Sequence, residues 1–467
     1  MSGTLSVLAI IISLALLIYL GYKNWSVILI APILALLAAG LTGLATGGDL
    51  HLLATYTETF MTNLAGYVKS YFPFFLLGAI FGKLMEVSGS AKSIAYFIVE
   101  KAGAGKEVLA VVLACAVITY GGVSLFVAAF AIYPIGVALF KKSNLPKRLL
   151  PPAIALGAFT FTMTALPGTP QVQNTIPMQY FGTDAFAAPI LGLVSAAIML
   201  FGGLFWIETR MKKALAAGEG YGDYPNENIT DVHEDNLPAF TIAMAPIIVV
   251  IVLNFVLSKM VFVNLDESYL VKDFGTTLSA VSGAWSLILG LVAGIILCII
   301  LNYKRFEKGV VETLKEGVTG SFLAVMNTAS EVGYGNVIKT LAGYGIIATA
   351  LLSISGNPLV GGAISTSVLA GITGSASGGM SIALASFGDT FLKAAQSMNI
   401  SPEALHRVIA VASGGLDTLP HNGAVITLLA ITGLRHKDCY MNVAMCTLVI
   451  PLISCAAIII LGTLGVA

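Results

Sequence analysis

Three side chains that can carry protons or bind anions stand in the stretch GGLDTLPHNGA, residues 414–424, namely Asp417, His421 and Asn422. Apolar runs flank it, VIAVAS before and VITLLAITGL after. An acid inside a membrane costs at least about 2.5–3.5 kcal/mol on insertion scales, so it needs a partner or a task. On a helix, Asp417 and His421 would share one face, although Pro420 lies between them. Because histidine titrates near neutrality, the pair predicts a proton-coupling site; the alternative is a solvated, structural loop.

Small polar residues accompany glycines and prolines at two places in each half of the chain, and the stretch just described is one of the four. Helix breaks expose backbone amides with partial positive charge, and small residues let a carboxylate approach them. Lysine and arginine are absent from these stretches, which favours a single carboxylate over a phosphate. The many hydroxyls suit a substrate that is itself hydroxylated. The predicted substrate-binding residues are Gly121, Gly122, Ser124, Thr169, Gln171, Gln173, Asn174, Ser375, Ser377, Gly378, Gly379, Thr418, His421 and Asn422.

Glu331, with Asn327 one turn earlier in AVMNTASEVGYGN, is a further candidate for binding a proton or a cation. The alternative is a position in a loop. No HExxH, GxSxG or cysteine-ligand pattern is present, so the sequence predicts no enzyme chemistry, no metal site and no cofactor. The five cysteines form no CxxC pair and are expected to be small buried hydrophobes.

The composition predicts an all-α polytopic membrane protein, because 57% of the 467 residues are hydrophobic and only 10% are charged. Several apolar runs reach the roughly 20 residues that cross a bilayer. The first of them lacks a preceding basic residue and a cleavage site, which indicates a retained helix rather than a secretion signal. Zero net charge gives no argument for a nucleic-acid partner. The runs are residues 5–22, 26–44, 186–206, 239–257 and 284–301.

The chain divides into two similar halves around a polar segment. An offset of about 253 residues brings the Leu-Pro of TALPGTPQVQN onto the Leu-Pro of LDTLPHNGAV. Basic residues change sides between the halves, as an inverted-topology repeat predicts. We therefore expect a first repeat over 1–207, a cytoplasmic linker over 208–237 and a second repeat over 238–467. The basic segment 302–317 is expected to be cytoplasmic as well.

Proline and glycine interrupt the apolar pattern in two long regions, about 108–180 and about 361–434. Each region predicts a re-entrant helical hairpin followed by a discontinuous helix, since freed backbone groups at membrane depth must lie inside protein or face a cavity. The alternative is ordinary kinked helices that use glycine for close packing.

Four segments carry a family resemblance: YKNWSVILIAPILALLAAG, YFPFFLLGAIFGKLMEVSGSAKSIA, TALPGTPQVQNTIPMQYFGT and SGGLDTLPHNGAVITLL. Together they resemble the gluconate permease (GntP) family of the ion transporter superfamily, most closely its D-beta-hydroxybutyrate permease-like branch. The resemblance implies inverted repeats, paired re-entrant hairpins, a dimerising scaffold and an elevator-like transport domain. It also implies a multi-pass homodimer in the inner (cytoplasmic) membrane.

The function predicted from these features is proton-coupled uptake of a small hydroxy-monocarboxylate, such as 3-hydroxybutyrate or gluconate, by alternating access. His421, Asp417 and Glu331 are the predicted proton-coupling residues. Sodium is the less favoured coupling ion. Two alternatives stay open, a sodium-coupled carboxylate symporter and the membrane subunit of a sodium-pumping decarboxylase.

Overall fold

The computed structural model describes residues 2–23, 25–47, 50–103, 105–224, 237–353, 356–420 and 422–467. Every regular element in these ranges is helical, which confirms the all-α prediction. His421 and linker residues 225–236 lie outside the described residues. The boundaries predicted for the two repeats and the linker stay predictions.

The α-helices follow one another with short connections. In chain order they are α1 (Ser2–Tyr22), α2 (Val27–Thr46), α3 (Leu52–Ala54), α4 (Thr62–Val87), α5 (Ser90–Ala102), α6 (Glu107–Tyr120), α7 (Leu125–Lys142), α8 (Leu150–Ala158), α9 (Phe161–Thr164), α10 (Val172–Phe181), α11 (Pro189–Ala216), α12 (Phe240–Val256), α13 (Ser268–Phe274), α14 (Leu278–Asn302), α15 (Val310–Lys339), α16 (Tyr344–Ser353), α17 (Pro358–Thr373), α18 (Ala376–Ser397), α19 (Pro402–Ser413), α20 (Gly423–Thr432), α21 (His436–Ala444) and α22 (Ile450–Thr463). Thr55–Met61, Leu257–Val261 and Met445–Val449 are π-helical, and Lys147–Leu149, Phe262–Asn264, Tyr303–Arg305 and Leu416–Thr418 are 3₁₀ turns.

Six helical stretches among the described residues are long and apolar enough to cross a membrane. Four of them overlap the predicted runs 26–44, 186–206, 239–257 and 284–301 over nearly their whole length, and the run 5–22 lies in α1. The chain is therefore a polytopic membrane protein. The six stretches are Val27–Thr46, Leu52–Val87, Pro189–Ala216, Phe240–Asn264, Ala280–Arg305 and His436–Thr463.

The order of helices repeats at nearly the offset that the sequence indicated. Helices α6 and α17 end 253 residues apart, at Tyr120 and Thr373. Helices α8 and α19 begin 252 residues apart, and α10 and α20 begin 251 residues apart. The two halves are therefore built from the same series of elements.

Equivalent long helices run antiparallel to each other. Lys83 near the end of α4 pairs with Glu316 near the start of α15, at 3.2 Å. Farther from that end, the rings of Phe72 and Phe322 lie 5.6 Å apart. Because α4 and α15 hold corresponding places in the two halves, their opposite directions confirm the inverted repeat.

The second such pair joins α11 to the α21–α22 segment. Ser195 and Ser454 are hydrogen-bonded at 2.7 Å, and Trp206 donates to the Asn442 side chain at 3.2 Å. The start of α11 therefore lies beside α22 and its later part beside α21. These corresponding elements of the two halves therefore also run in opposite directions.

Each half contains a helical hairpin with a short first arm. Helix α6 has 14 residues and α17 has 16, so each first arm is roughly 21–24 Å long, less than the ~30 Å hydrocarbon core. The chain reverses at each turn, and a methyl group on Gly379 of α18 would collide with Ala370 of α17. The alternative of ordinary kinked helices is therefore wrong at these positions.

Candidate functional site

The first discontinuous helix breaks between α9 and α10, where Pro167 and Pro170 interrupt the chain. Gln171 occupies the N-cap position of α10. Its Nε2 donates to the carbonyl oxygens of Thr119, at 2.7 Å, and Val123, at 3.2 Å, both at the turn between α6 and α7. The predicted binding residue Gln171 thus fastens the helix break to the hairpin tip.

The second discontinuous helix breaks between α19 and α20 in the same way. Asn422 is the N-cap of α20, and its Oδ1 accepts from the Val425 amide at 2.9 Å. Its Nδ2 donates to the Gly374 carbonyl oxygen, at the turn between α17 and α18, at 2.8 Å. An N-cap carboxamide bonded to the hairpin turn is therefore a repeated feature of both halves.

The two breaks approach each other in the middle of the molecule. A methyl group on Gly414 would lie 2.7 Å from Thr164 Cγ2, so the second break packs directly on the first. At the first hairpin turn Gly122 has φ +94°, and a methyl group there would lie 2.8 Å from Pro170 Cγ. Glycine is required by both the backbone conformation and the close approach. The candidate site is the region where these turns and breaks meet.

Asn174 is the centre of a buried hydrogen-bond network in this region. Its Nδ2 donates to the carbonyl oxygens of Thr169 and Ala185, each at 2.9 Å. Its Oδ1 lies 2.9 Å from Arg407 Nη1 and 3.3 Å from His406 Nε2. The predicted ligand Asn174 is therefore saturated by protein contacts and holds α10 against α19.

Arg407 is a functional candidate that the sequence reasoning missed. It is completely buried and donates to the carbonyl oxygens of Ala187, at 2.8 and 3.1 Å, and Thr164, at 3.2 Å. No carboxylate of the described residues lies within ion-pair distance of Arg407, although those of Asp184 and Glu403 are near enough to interact with its charge. The helix-break segments themselves contain no arginine, but α19 brings Arg407 against the first break from 220 residues or more away in sequence. The pair His-Arg inside the apolar α19 was the available signal.

Asp417 lies in the 3₁₀ turn Leu416–Thr418, only 8% exposed. Its Oδ1 is buried and has no hydrogen-bond partner among the described residues. Asp417 is therefore not part of an α-helix, and the face that it was expected to share with His421 stays a prediction, because His421 lies outside the described residues. Thr418 is held by neighbours: its Oγ1 accepts from Thr447 at 2.9 Å.

The remaining predicted residues divide between caps, packing contacts and unpartnered groups. Ser375 caps α18 by accepting from the Gly378 amide at 3.1 Å, and its Oγ lies 3.5 Å from that of Ser377. Gln173 Oε1 is buried without a hydrogen-bond partner in the described structure. Thr169 is buried, whereas Ser124 is exposed. Gly121 packs against Ile247 and Gly379 against Ala370, so both serve close packing.

Glu331 lies in α15, a 30-residue helix, and not in a loop. It is 6% exposed. A methyl group on Gly378 would lie 2.7 Å from its Cδ, so the carboxylate sits against the first turn of α18. Asn327, one turn earlier, has a buried Oδ1 with no hydrogen-bond partner among the residues that the structure describes.

The family model of the GntP family permeases matches residues 5–464. The chain belongs to the GntP permease family. Homology therefore assigns permease function. The resemblance found in the sequence is confirmed at the level of the family.

Relatives agree with this assignment, and a solved structure shares the fold. The permease is 46% identical over 459 residues to the uncharacterized transporter YxjC of Bacillus subtilis (strain 168), covering 95% of this chain and 96% of that protein. An uncharacterized permease of Haemophilus influenzae is 27% identical over 271 residues, covering 54% of this chain and 50% of that protein. The crystal structure of the Alcanivorax borkumensis YdaH transporter superimposes with a TM-score of 0.59 at 15% identity, covering 90% and 88% of the two chains. The likeness to the YdaH transporter shows the fold alone.

Proposed function

We propose that this permease is a secondary transporter that couples uptake of a small hydroxy-monocarboxylate to protons by alternating access. The substrate binds where the hairpin turns meet the two helix breaks. 3-Hydroxybutyrate and sugar acids such as gluconate have the expected chemistry. The protein works as a homodimer in the cytoplasmic membrane.

The buried charge of Arg407 is the observation that carries the proposal. An unpaired cation in a low-dielectric interior is costly, and an anion near it lowers that cost. Arg407 bonds only to neutral oxygens in the described structure, and it contacts the carbonyl of Thr164 directly behind the first break. One guanidinium, supported by helix N-termini, matches one carboxylate better than a phosphate dianion.

Asp417 supplies the proton-coupling group of the same site. Its Oδ1 lacks a hydrogen-bond partner among the described residues, and a buried carboxyl of this kind is cheaper to keep neutral than ionised. A proton bound at Asp417 removes the negative charge of this carboxylate, which would otherwise repel the carboxylate of the substrate. His421, which lies outside the described residues, is retained in the proposal as a carrier of the same proton to or from Asp417.

Uptake by liposomes that hold only this protein tests the proposal. We expect labelled D-3-hydroxybutyrate to accumulate under an inward proton gradient and not under an inward sodium gradient. Asp417→Asn should abolish proton-driven accumulation, whereas Asp273→Asn, at an exposed position, should leave it unchanged.

Each other outcome has a defined meaning. Accumulation driven by sodium alone would establish the sodium symporter instead. Downhill flux without accumulation would indicate a channel. Failure with D-3-hydroxybutyrate, gluconate and other hydroxy-carboxylates would overturn the proposed substrate class, and a need for a partner chain would favour the decarboxylase subunit.

A further inference from the structure

A polar cavity of about 390 Å³ opens between α4, α10, α15 and α18, away from the helix breaks. Two tyrosines of α4, Tyr67 and Tyr71, and Tyr180 of α10 line it. At its rim Lys339 of α15 and Asp389 of α18 form an ion pair at 2.8 Å. The proposed function does not use this cavity.

The cavity leads toward Glu331. Val332, the next residue on α15, is part of its wall. Lys339 stands eight residues farther along the helix, so Glu331 lies roughly 12 Å below the rim at 1.5 Å per residue. Since the basic segment 302–317 before α15 is predicted to be cytoplasmic, the rim faces the outer side. Protons that drive uptake would enter from that side.

Buried hydroxyl groups lie between the cavity and the carboxylate. The Tyr67 hydroxyl and Ser381 Oγ are both buried, and the Tyr67 hydroxyl interacts with the side chains of Ser381 and Thr328. Ser381 stands one turn after Gly378 on α18, so both occupy the face that meets Glu331. The carboxylate also lies at the N-terminal end of a 22-residue helix, where negative charge is favoured. These groups form a pathway of hydroxyls that ends at an acid.

Few ionisable groups surround Glu331 on the packed elements. Helix α2 contains none, and no described cation forms an ion pair with Glu331. The middle parts of the other neighbouring elements carry Tyr67, Tyr71 and the exposed Lys69 on α4, Tyr334 on α15, Tyr180 on α10, Asp389 on α18 with its partner Lys339 on α15, and Tyr56 and the exposed Glu58 in the π-helical segment. The ionisable residues nearer the ends of these helices are Lys83 and Glu86 on α4, Glu312, Lys315 and Glu316 on α15, and Lys393 on α18. Neutralisation of Glu331 therefore depends on a proton and not on a neighbouring side chain.

We propose that Glu331 is a second proton-binding site, filled from the outer side through this cavity, that controls release of the α17–α18 hairpin tip from α15. The inference rests on the proposed function and adds a second proton to the one at Asp417. When Glu331 is ionised, the amide end of α18 holds the carboxylate and keeps the tip against α15. When water in the cavity transfers a proton to the carboxylate, that attraction weakens and the tip separates; the proton leaves to the inner side after the movement.

The proposal predicts the charge carried in each cycle. Two protons with one monocarboxylate carry one net positive charge inward. Each ~59 mV of inside-negative potential should then raise the accumulation ratio about tenfold. Glu331→Gln should keep proton-driven uptake but lose this dependence on potential. Glu312→Gln, at an exposed position on the same helix, should retain it.

A second variant keeps the test valid if Glu331→Gln does not fold. Gly378→Ala displaces the Glu331 carboxylate and should also remove the dependence on potential. Gly320→Ala, where a methyl group on α15 meets open space, should not. Dependence on potential that is the same in Glu331→Gln and Gly378→Ala as in their controls would overturn the proposal. If the parent protein shows no proton-driven uptake, the proposed function fails instead.

A readout without substrate tests the same idea. In Ser377→Cys, the rate of thiol labelling at the hairpin tip is divided by the rate for a free thiol at the same pH, because the thiolate is the reacting form. This relative rate should rise as the pH falls from alkaline to neutral. Adding Glu331→Gln should make the relative rate high and independent of pH. The five native cysteines are buried and give little background. A relative rate for Ser377→Cys that does not change with pH would contradict the proposed release.

Discussion

Arg407 links three neighbouring segments through a single guanidinium. It bonds the Ala187 carbonyl twice, the Thr164 carbonyl once and the Asn174 side chain once. Such a fork needs arginine geometry, because lysine offers a point charge and cannot span these acceptors. The hydrogen bonds of Arg407 and its positive charge can therefore be tested separately by substitution.

Two substitutions at this position separate the roles. Arg407→Lys keeps the charge and should bind substrate within several-fold of the parent, but its lost hydrogen bonds should lower stability by roughly 1–3 kcal/mol. Arg407→Gln removes the charge and should weaken carboxylate binding by more than about tenfold, a loss near 1.4 kcal/mol. Calorimetric Kd values and thermal unfolding measure the two effects. Arg148→Lys, at a partly exposed ion pair with Glu219, is the control. Unchanged substrate affinity in a folded Arg407→Gln protein would leave Arg407 a purely structural role.

The tie between each helix break and its hairpin is a property of whole elements. Asn422→Asp retains the acceptor that caps α20 but loses the donor to the Gly374 carbonyl. We therefore expect α20 to stay folded while the hairpin tip loosens. In a Ser377→Cys background, thiol labelling should speed up roughly three- to tenfold, in line with about 0.5–1.5 kcal/mol for one hydrogen bond. Asn399→Asp, at an exposed turn position with φ +55°, is a matched control. A labelling rate equal to that of the control would show that the bond does not restrain the tip.

The elements were more predictable from sequence than their contacts. Proline, glycine and cap residues act locally, so the breaks before Gln171 and Asn422 and the hairpin turns could be located from the pattern alone. Asn174 was correctly placed at the break, but its saturation by Arg407 could not be foreseen, because 233 residues separate the two. Packing over such distances depends on the whole fold. For the same reason Glu331 was identified as a candidate while its contact with Gly378 was not.

At the scale of the molecule, the helices form two groups with different contacts. Helices α2, α4, α14 and α15 pack on one another, and α11, α19 and α22 pack together beside the second hairpin. Helix α18 of that hairpin contacts α15, so it joins the groups. In an elevator-like cycle, the hairpins, helix breaks and α11–α22 pair would move as one body against the first group. Such a movement would slide α18 along α15.

A disulfide between the groups tests this movement directly. A Cβ on Gly335 of α15 would lie 3.4 Å from that of Ala385 on α18, close to the separation that disulfides require. Oxidation of Gly335→Cys/Ala385→Cys should lower uptake by more than about tenfold, and a reducing agent should restore it. Gly462→Cys/Ala404→Cys is the matched control within the moving group, with a Cβ separation of 3.5 Å between α22 and α19. Its oxidation should leave uptake unchanged, because both partners travel together. If uptake persists when the first pair is fully cross-linked, α18 does not slide against α15, and alternating access must then arise from movements confined to the hairpin tips.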